Sequence, residues 1–263
     1  MNTSTAPQAY LQQFSLDGQV ALITGSARGL GLCMARAMAG CGAHVLINGR
    51  NAEATEAAAQ TLRKDGLAAS SLAFDVADDS AIDQAFERID REHGRLDILV
   101  NNVGARNRKT LQAITTAEIR ALIDTDLVAG ILLSKLAAER MVRQGSGRII
   151  TITSVAGELA RPGDAVYPAA KQGLTGMMRA LAVELGPLGI TSNAIAPGTF
   201  ATETNTAMVT DPAVHERLAA RNPTRRWGRP EEIAGAAVFL ASPAASYING
   251  QVLAVDGGLS ILF

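Results

Sequence analysis

Tyr167 and Lys171 lie four residues apart in the stretch YPAAK. Four residues is about one helical turn, so on a helix the phenol and the ammonium point the same way. A free phenol ionises near pH ~10, too high for a good base at neutral pH. A neighbouring ammonium favours the phenolate and lowers that value. The pair suits proton exchange with a carbonyl or alcohol oxygen. For these five residues alone, a chance surface pair is the competing reading.

A second pattern runs TGSARGLG, residues 24–31, with Gly25, Gly29 and Gly31 where a strand turns into a helix. Glycine permits a tight turn and lets the backbone approach a pyrophosphate closely. The helix that follows aims free N–H groups and the positive end of its dipole at that anion. Ser26, Arg28 and Leu30 fill the turn and are candidate dinucleotide contacts with the glycines. The next strand ends INGR, residues 47–50, with no Asp or Glu. A carboxylate at this point would bond a ribose 2′-hydroxyl, whereas an arginine accommodates a 2′-phosphate. Arg50 and Arg28 present guanidinium forks there, so the pattern favours NADP(H) over NAD(H).

These residues need a scaffold that alternates short apolar runs with helical patterns. Strands are expected over 20–24, 43–49, 70–76, 96–102, 148–154, 190–196 and 251–258. Helices are expected after the glycine turn and over 51–66, 79–94, 116–144, 167–186 and 230–242. Thr115 and Glu118 have the spacing of a capping box, and Pro230 suits the first turn of the last helix. Continuous apolar strands fit a parallel sheet covered on both faces. The least regular stretch is 198–229.

The chain has 263 residues, 48% hydrophobic and 19% charged, with a formal net charge of −1. Such a composition can bury a large core, and its balance gives no global attraction to nucleic acid or membrane surfaces. No apolar run is long enough to span a bilayer. The first 14 residues lack the features of a signal peptide and read as a loose arm, with one domain over 15–263. Cys33 and Cys41 read as small buried hydrophobes of a reduced, cytoplasmic compartment. Three histidines, none beside another histidine or a cysteine, make a metal site unexpected.

The glycine turn, NNVG (101–104), Ser154, YPAAK and APG (196–198) together resemble the short-chain dehydrogenase/reductase family. The likeness covers about residues 16–260, and the twelve residues between Ser154 and Tyr167 match the family's gap. It implies a single doubly wound Rossmann domain, an α/β fold with a seven-stranded parallel sheet and helices on both faces. It also implies oxidoreductase chemistry, with hydride passing between a nicotinamide and a ketone or secondary alcohol. Tyr167 would exchange the proton. Lys171 would hold the nicotinamide ribose, and Ser154 would hold the substrate oxygen. Asp75 resembles an adenine contact, with Val76 next to it. Asn101 resembles a structural residue near the adenosine, and Asn102 and Gly104 line the same turn. Pro197 and Gly198 resemble the turn beneath the nicotinamide, and Thr202 a donor to its carboxamide or to phosphate. Trp227 matches a packing position.

One position departs from the family. Asp126 stands where an asparagine usually serves a proton relay behind the lysine. It is expected either to act in that relay or, as a carboxylate pairing with Lys171, to shift the pH optimum. Around the substrate, Arg106, Arg108, Lys109 and Arg161 offer cations to a carboxylate. This loop and the C-terminal stretch are similar to gluconate 5-dehydrogenases. The alternatives are a 3-oxoacyl-acyl carrier protein reductase and, from another class, a nucleotide-sensing module without turnover. For the reductase, Gly145 and Leu188 lack the usual basic side chains, though Arg143 and Arg148 lie nearby. The resemblance also implies a homotetramer with a small-molecule substrate, packed through the 116–144 helix and the helix after Ser154. The substrate segment, about 199–222, is expected to be mobile.

Overall fold

The computed structural model describes residues 10–262. Seven parallel strands form one sheet in the order β3-β2-β1-β4-β5-β6-β7. They are β1 (Val20–Ile23), β2 (His44–Ile47), β3 (Ala69–Ser71), β4 (Ile98–Asn101), β5 (Gly147–Ile152), β6 (Ile190–Pro197) and β7 (Val252–Val255). The helices are α1 (Gly29–Gly40), α2 (Ala52–Lys64), α3 (Asp79–His93), α4 (Thr116–Ile123), α5 (Ala129–Gln144), α6 (Val166–Leu185), α7 (Thr206–Thr210), α8 (Pro212–Ala220) and α9 (Ala234–Ala241).

Alternation along each strand sends neighbours to opposite faces. Ile23, Val45, Val100 and Ile150 pack with Met34, Leu62 and Val238, which come from α1, α2 and α9. Leu22, Leu46, Leu99 and Ile149 pack with Phe86, Leu133 and Leu185 from α3, α5 and α6. This double cover is why the strands read as unbroken apolar runs. The chain crosses from one side of β1 to the other between β3 and β4, so β1 and β4 adjoin although 77 residues separate paired atoms such as Val20 N and Asp97 Oδ2. A crevice opens at such a switch point, beyond the carboxyl ends of the strands.

Several expected boundaries shift. The ladder of β3 stops at Ser71 rather than running to 76. Beyond it, Leu72 N–H and Phe74 N–H still donate to Ile47 O and Gly49 O, and the Asn48 amide donates to the carbonyls of Leu72 and Phe74, both at 3.1 Å. The helix over 116–144 is interrupted by a π-helical turn, Asp124–Val128. The capping box of Thr115 and Glu118 is formed. Pro230 opens a 3₁₀ turn (Pro230–Ile233) that leads into α9. The stretch over 198–229 is more regular than expected: it carries α7 and α8, and Asp211 caps the latter ahead of Pro212. Cys41 sits just past the end of α1 rather than within it, and both thiols are free and only half-buried. Of the expected N-terminal arm, residues 1–9 lie outside the described residues. Phe14 packs its ring 6.4 Å from that of Phe239, and Gln13 accepts the Ala244 N–H at 3.0 Å.

Candidate active site

A cleft of about 1460 Å³ lies over the carboxyl ends of the strands. The glycine turn forms its floor. Helices α2, α3 and α4 start on side-chain caps from Asn51, Asp78 and Thr115. Helix α1 has none: Arg28 occupies the cap position and its side chain caps nothing. The first N–H groups of α1 are left for an anion in the cleft. Gly25 and Gly29 have φ of 61° and 58°, in the left-handed region that favours glycine. At Gly31 a Cβ would lie 2.6 Å from the Gly25 carbonyl and 2.8 Å from Ser26 Cα, so only glycine fits. Leu30 lines the same wall. The donor-rich turn, its bare helix end and the size of the cleft fit a dinucleotide. Ser26 lies behind the cleft wall rather than on it. It is buried, donates to Ile23 O at 2.6 Å and accepts from Asn48 N at 3.0 Å.

Asn48 was not anticipated from the sequence. Its Oδ1 accepts the Gly25 N–H at 3.0 Å while its amide holds the end of β3, so one buried side chain fixes the glycine turn against β2. Asn102 is its counterpart just past β4, donating to Thr24 O at 2.8 Å and Gly25 O at 3.2 Å. Asn101 faces away and ties β4 to α5 through Ser134 Oγ at 2.8 Å. At the ribose end, Arg28 and Arg50 line the cleft with exposed side chains. Asp75 and Val76 stand opposite, Asp75 3.8 Å from Arg50. At the nicotinamide end, Gly104, Pro197, Gly198 and Thr202 line the wall. Trp227 is buried, as its packing role requires.

Ser154, Tyr167 and Lys171 meet in this cleft. Ser154 lies two residues beyond β5, and its Oγ accepts the Ala156 N–H at 3.1 Å. Tyr167 and Lys171 lie in the first two turns of α6. The Lys171 ammonium donates to Ile152 O at 3.0 Å and lies 5.7 Å from the Tyr167 ring centre. In the protein without ligands the phenol is not made more acidic, contrary to expectation. Burial pushes Tyr167 up; the Ser154 hydroxyl and the Arg106 guanidinium pull it down, while Asp126 and Asp164 add to the upward push. Burial likewise pushes Lys171 below the usual lysine range, with Asp126 opposing.

The π-turn presents Asp126 inward behind Lys171. Its Oδ1 accepts the Ala105 N–H at 2.6 Å, and its Oδ2 has no hydrogen-bond partner among the described residues. Burial raises this carboxyl above the usual range, opposed by Lys171 and the Ala105 amide. The two side chains do not form the expected direct ion pair. A Cβ on Gly104 would stand 3.1 Å from Lys171 Nζ and 3.8 Å from Asp126 Oδ2, so glycine keeps the space between them open.

Of the four candidate anion-binding cations, Arg106 and Arg108 line the cleft. Arg108 is pushed down by burial and then by the charges of Arg106 and Arg161, and Arg161 does not line the cleft. Lys109 is taken by Glu118 at 2.6 Å, and with the Thr115 amide and Asn107 it holds that carboxyl down at about 2. Arg106 binds Asp164, a buried carboxylate that sequence reasoning missed; an aspartate three residues ahead of Tyr167 carries no signal of which cation it meets. Arg148, expected as a possible carrier-docking cation, is half-buried with its Nη1 on Gly147 O, and burial pushes it down.

Among the described residues, no group of three or more His, Cys, Asp and Glu side chains is arranged to hold a metal, and no helix is long and apolar enough to cross a membrane. The family profile described as Enoyl-(Acyl carrier protein) reductase matches residues 25–260. The gluconate 5-dehydrogenase of Gluconobacter oxydans (strain 621H) is 42% identical over 94% of this chain and 97% of its own length. The 3-oxoacyl-[acyl-carrier-protein] reductase of Escherichia coli (strain K12) is 37% identical over 93% and 98%. The crystal structure of a gluconate 5-dehydrogenase from Burkholderia cenocepacia J2315 in complex with NADP and tartrate superposes with a TM-score of 0.93 at 41% identity, covering 97% of this chain and all of that one. The strand order, the cleft and these likenesses agree: the chain belongs to the short-chain dehydrogenase/reductase family, whose members are oxidoreductases acting on CH–OH and C=O groups.

Proposed function

We propose that this protein interconverts a keto sugar acid and its hydroxy acid, in the manner of a gluconate 5-dehydrogenase. One observation carries the reading: two guanidiniums, Arg106 and Arg108, share the cleft with Ser154, Tyr167 and Lys171. Cations that share a cleft with the phenol suit a substrate that carries a carboxylate as well as the reacting carbonyl. The relatives named gluconate 5-dehydrogenase support it.

When bound, the nicotinamide supplies or takes up the hydride. Ser154 orients the substrate oxygen. In reduction Tyr167 Oη gives that oxygen its proton as the carbonyl π pair becomes an O–H bond; in oxidation it takes the proton back. Lys171 steadies the phenolate that forms, and Asp126 stands behind it at the end of the relay. The glycine turn, with Gly25, Gly29 and Gly31, takes the pyrophosphate. Arg28 and Arg50 take a 2′-phosphate, so NADP(H) is preferred to NAD(H). Unpaired thiols suit a cytoplasmic setting. Exposed apolar side chains on α5 and α6, Ile131 and Val183 among them, suit packing of α4–α5 and α6 in a homotetramer.

The test is a spectrophotometric panel with NADPH and NADH, each offered 5-ketogluconate and an acetoacetyl thioester. The reading expects NADPH oxidation with the sugar acid. Turnover confined to the thioester would move the protein to the acyl carrier reductases, and tight dinucleotide binding without any turnover would make it a sensor. Tyr167→Phe is expected to lower kcat by roughly 10²–10⁴-fold with dinucleotide affinity unchanged.

A further inference from the structure

Arg106 does more than line the cleft. Its guanidinium carbon lies 4.5 Å from the centre of the Tyr167 ring, nearer than the Lys171 ammonium at 5.7 Å. Its other edge is held by Asp164: Nε donates to Oδ2 at 2.9 Å, and Nη2 contacts the same oxygen. The Asp164 side chain is 1% exposed against 29% for Arg106, so the carboxylate is buried and the cation faces the cleft. The second carboxylate oxygen has no hydrogen-bond partner among the described residues. A fold that needed only stability here would be served as well by an apolar side chain, because a buried ion pair loses solvation that it seldom regains. This pair does something else: two donors on one edge of the guanidinium meet one buried oxygen, and that anchor leaves the Arg106 Cζ over the ring.

We propose that Asp164 is a positioning residue: it holds the Arg106 guanidinium over the Tyr167 ring, so that a second cation besides Lys171 favours the ionised phenol. The proposal rests on Tyr167 being the proton-exchanging group. The charged and titratable groups around the phenol are Lys171 on its own helix, Arg106 and Arg108 after β4, Asp126 on the π-turn and Asp164 ahead of α6. A cation over the ring face interacts better with phenolate than with phenol. Arg106 is one of the groups that pull Tyr167 down against its burial.

The sign of the effect discriminates. As a bare negative charge, Asp164 disfavours phenolate, so removing it would make the phenol more acidic. As a positioning residue it keeps a cation in place, so removing it makes the phenol less acidic. Tyr10 and Tyr247 are the only other tyrosines, and both are exposed. Replacing them with Phe leaves Tyr167 as the one source of ultraviolet phenolate absorbance. In that background Asp164→Ala and Arg106→Gln are both expected to raise the pH of phenolate appearance by roughly one unit, and Arg106→Lys by less. Where alkali unfolds a variant first, the midpoint of the pH–kcat profile for alcohol oxidation reads the same shift. A midpoint that stays put in either Arg106→Gln or Asp164→Ala, or that falls in Asp164→Ala, overturns the proposal. An active Tyr167→Phe enzyme would instead overturn the role of the tyrosine, whichever way the phenol titrates.

Discussion

Asp126 is the buried carboxylate behind Lys171. Its carboxylate disfavours ionisation of Tyr167 and favours the ammonium of Lys171. Replacing it with asparagine keeps an acceptor for the Ala105 N–H and removes the charge. Asp126→Asn should move the pH–kcat profile for alcohol oxidation to lower pH, by up to about one unit. A stationary profile, or one displaced towards alkali, would mean that the carboxylate does not influence the phenol. Ser154, Tyr167 and Lys171 were legible in the sequence because a local spacing and a strand end define them. The Arg106–Asp164 pair was not: the two lie 58 residues apart and meet only because the loop after β4 folds over the start of α6. The net upward push on the phenol was not legible for a related reason, since burial is a property of the cleft and leaves no local mark in a sequence.

The glycine turn shows how far an element can be read from its residues. Its place between β1 and α1 followed from composition. The order of need among its glycines did not, because that depends on what each Cβ would touch. Gly31→Ala drives a methyl group into the backbone of Gly25 and Ser26, so it should destabilise the protein by about 1–3 kcal/mol and weaken NADPH binding at least tenfold in a fluorescence titration. Gly235→Ala, at an exposed position of α9 with nothing within 4 Å, should raise stability by about 0.5–1 kcal/mol in chemical denaturation. If the two variants behave alike, crowding at the turn is not what selects glycine there. The π-turn had no sequence signal, because Asp124–Val128 contains neither proline nor glycine and helix-forming residues flank it on both sides. What it changes is the direction of Asp126, and that becomes visible only against Lys171.

At the scale of the molecule, strand number, sense and alternation with helices were all legible, because each is the sum of many local patterns. Assembly is where prediction has to reach beyond one chain. Light scattering is expected to give four chain masses for the wild type, and Ile131→Glu with Val183→Glu should reduce that number; a wild-type protein at one chain mass would sink the tetramer. The two halves of the sheet are also joined at one seam. Asp97 accepts the Val20 N–H at 2.8 Å and is gripped by both arms of Arg95, so the edge of β1 is finished by residues that lie far down the chain. A polypeptide leaving the ribosome must therefore leave the β4-side edge of β1 unpaired until about a third of its length has emerged. Such late closure of a distant pairing slows folding and leaves the newborn chain adhesive. Much of the burden of making this enzyme thus falls on what shields its first strand before β4 arrives.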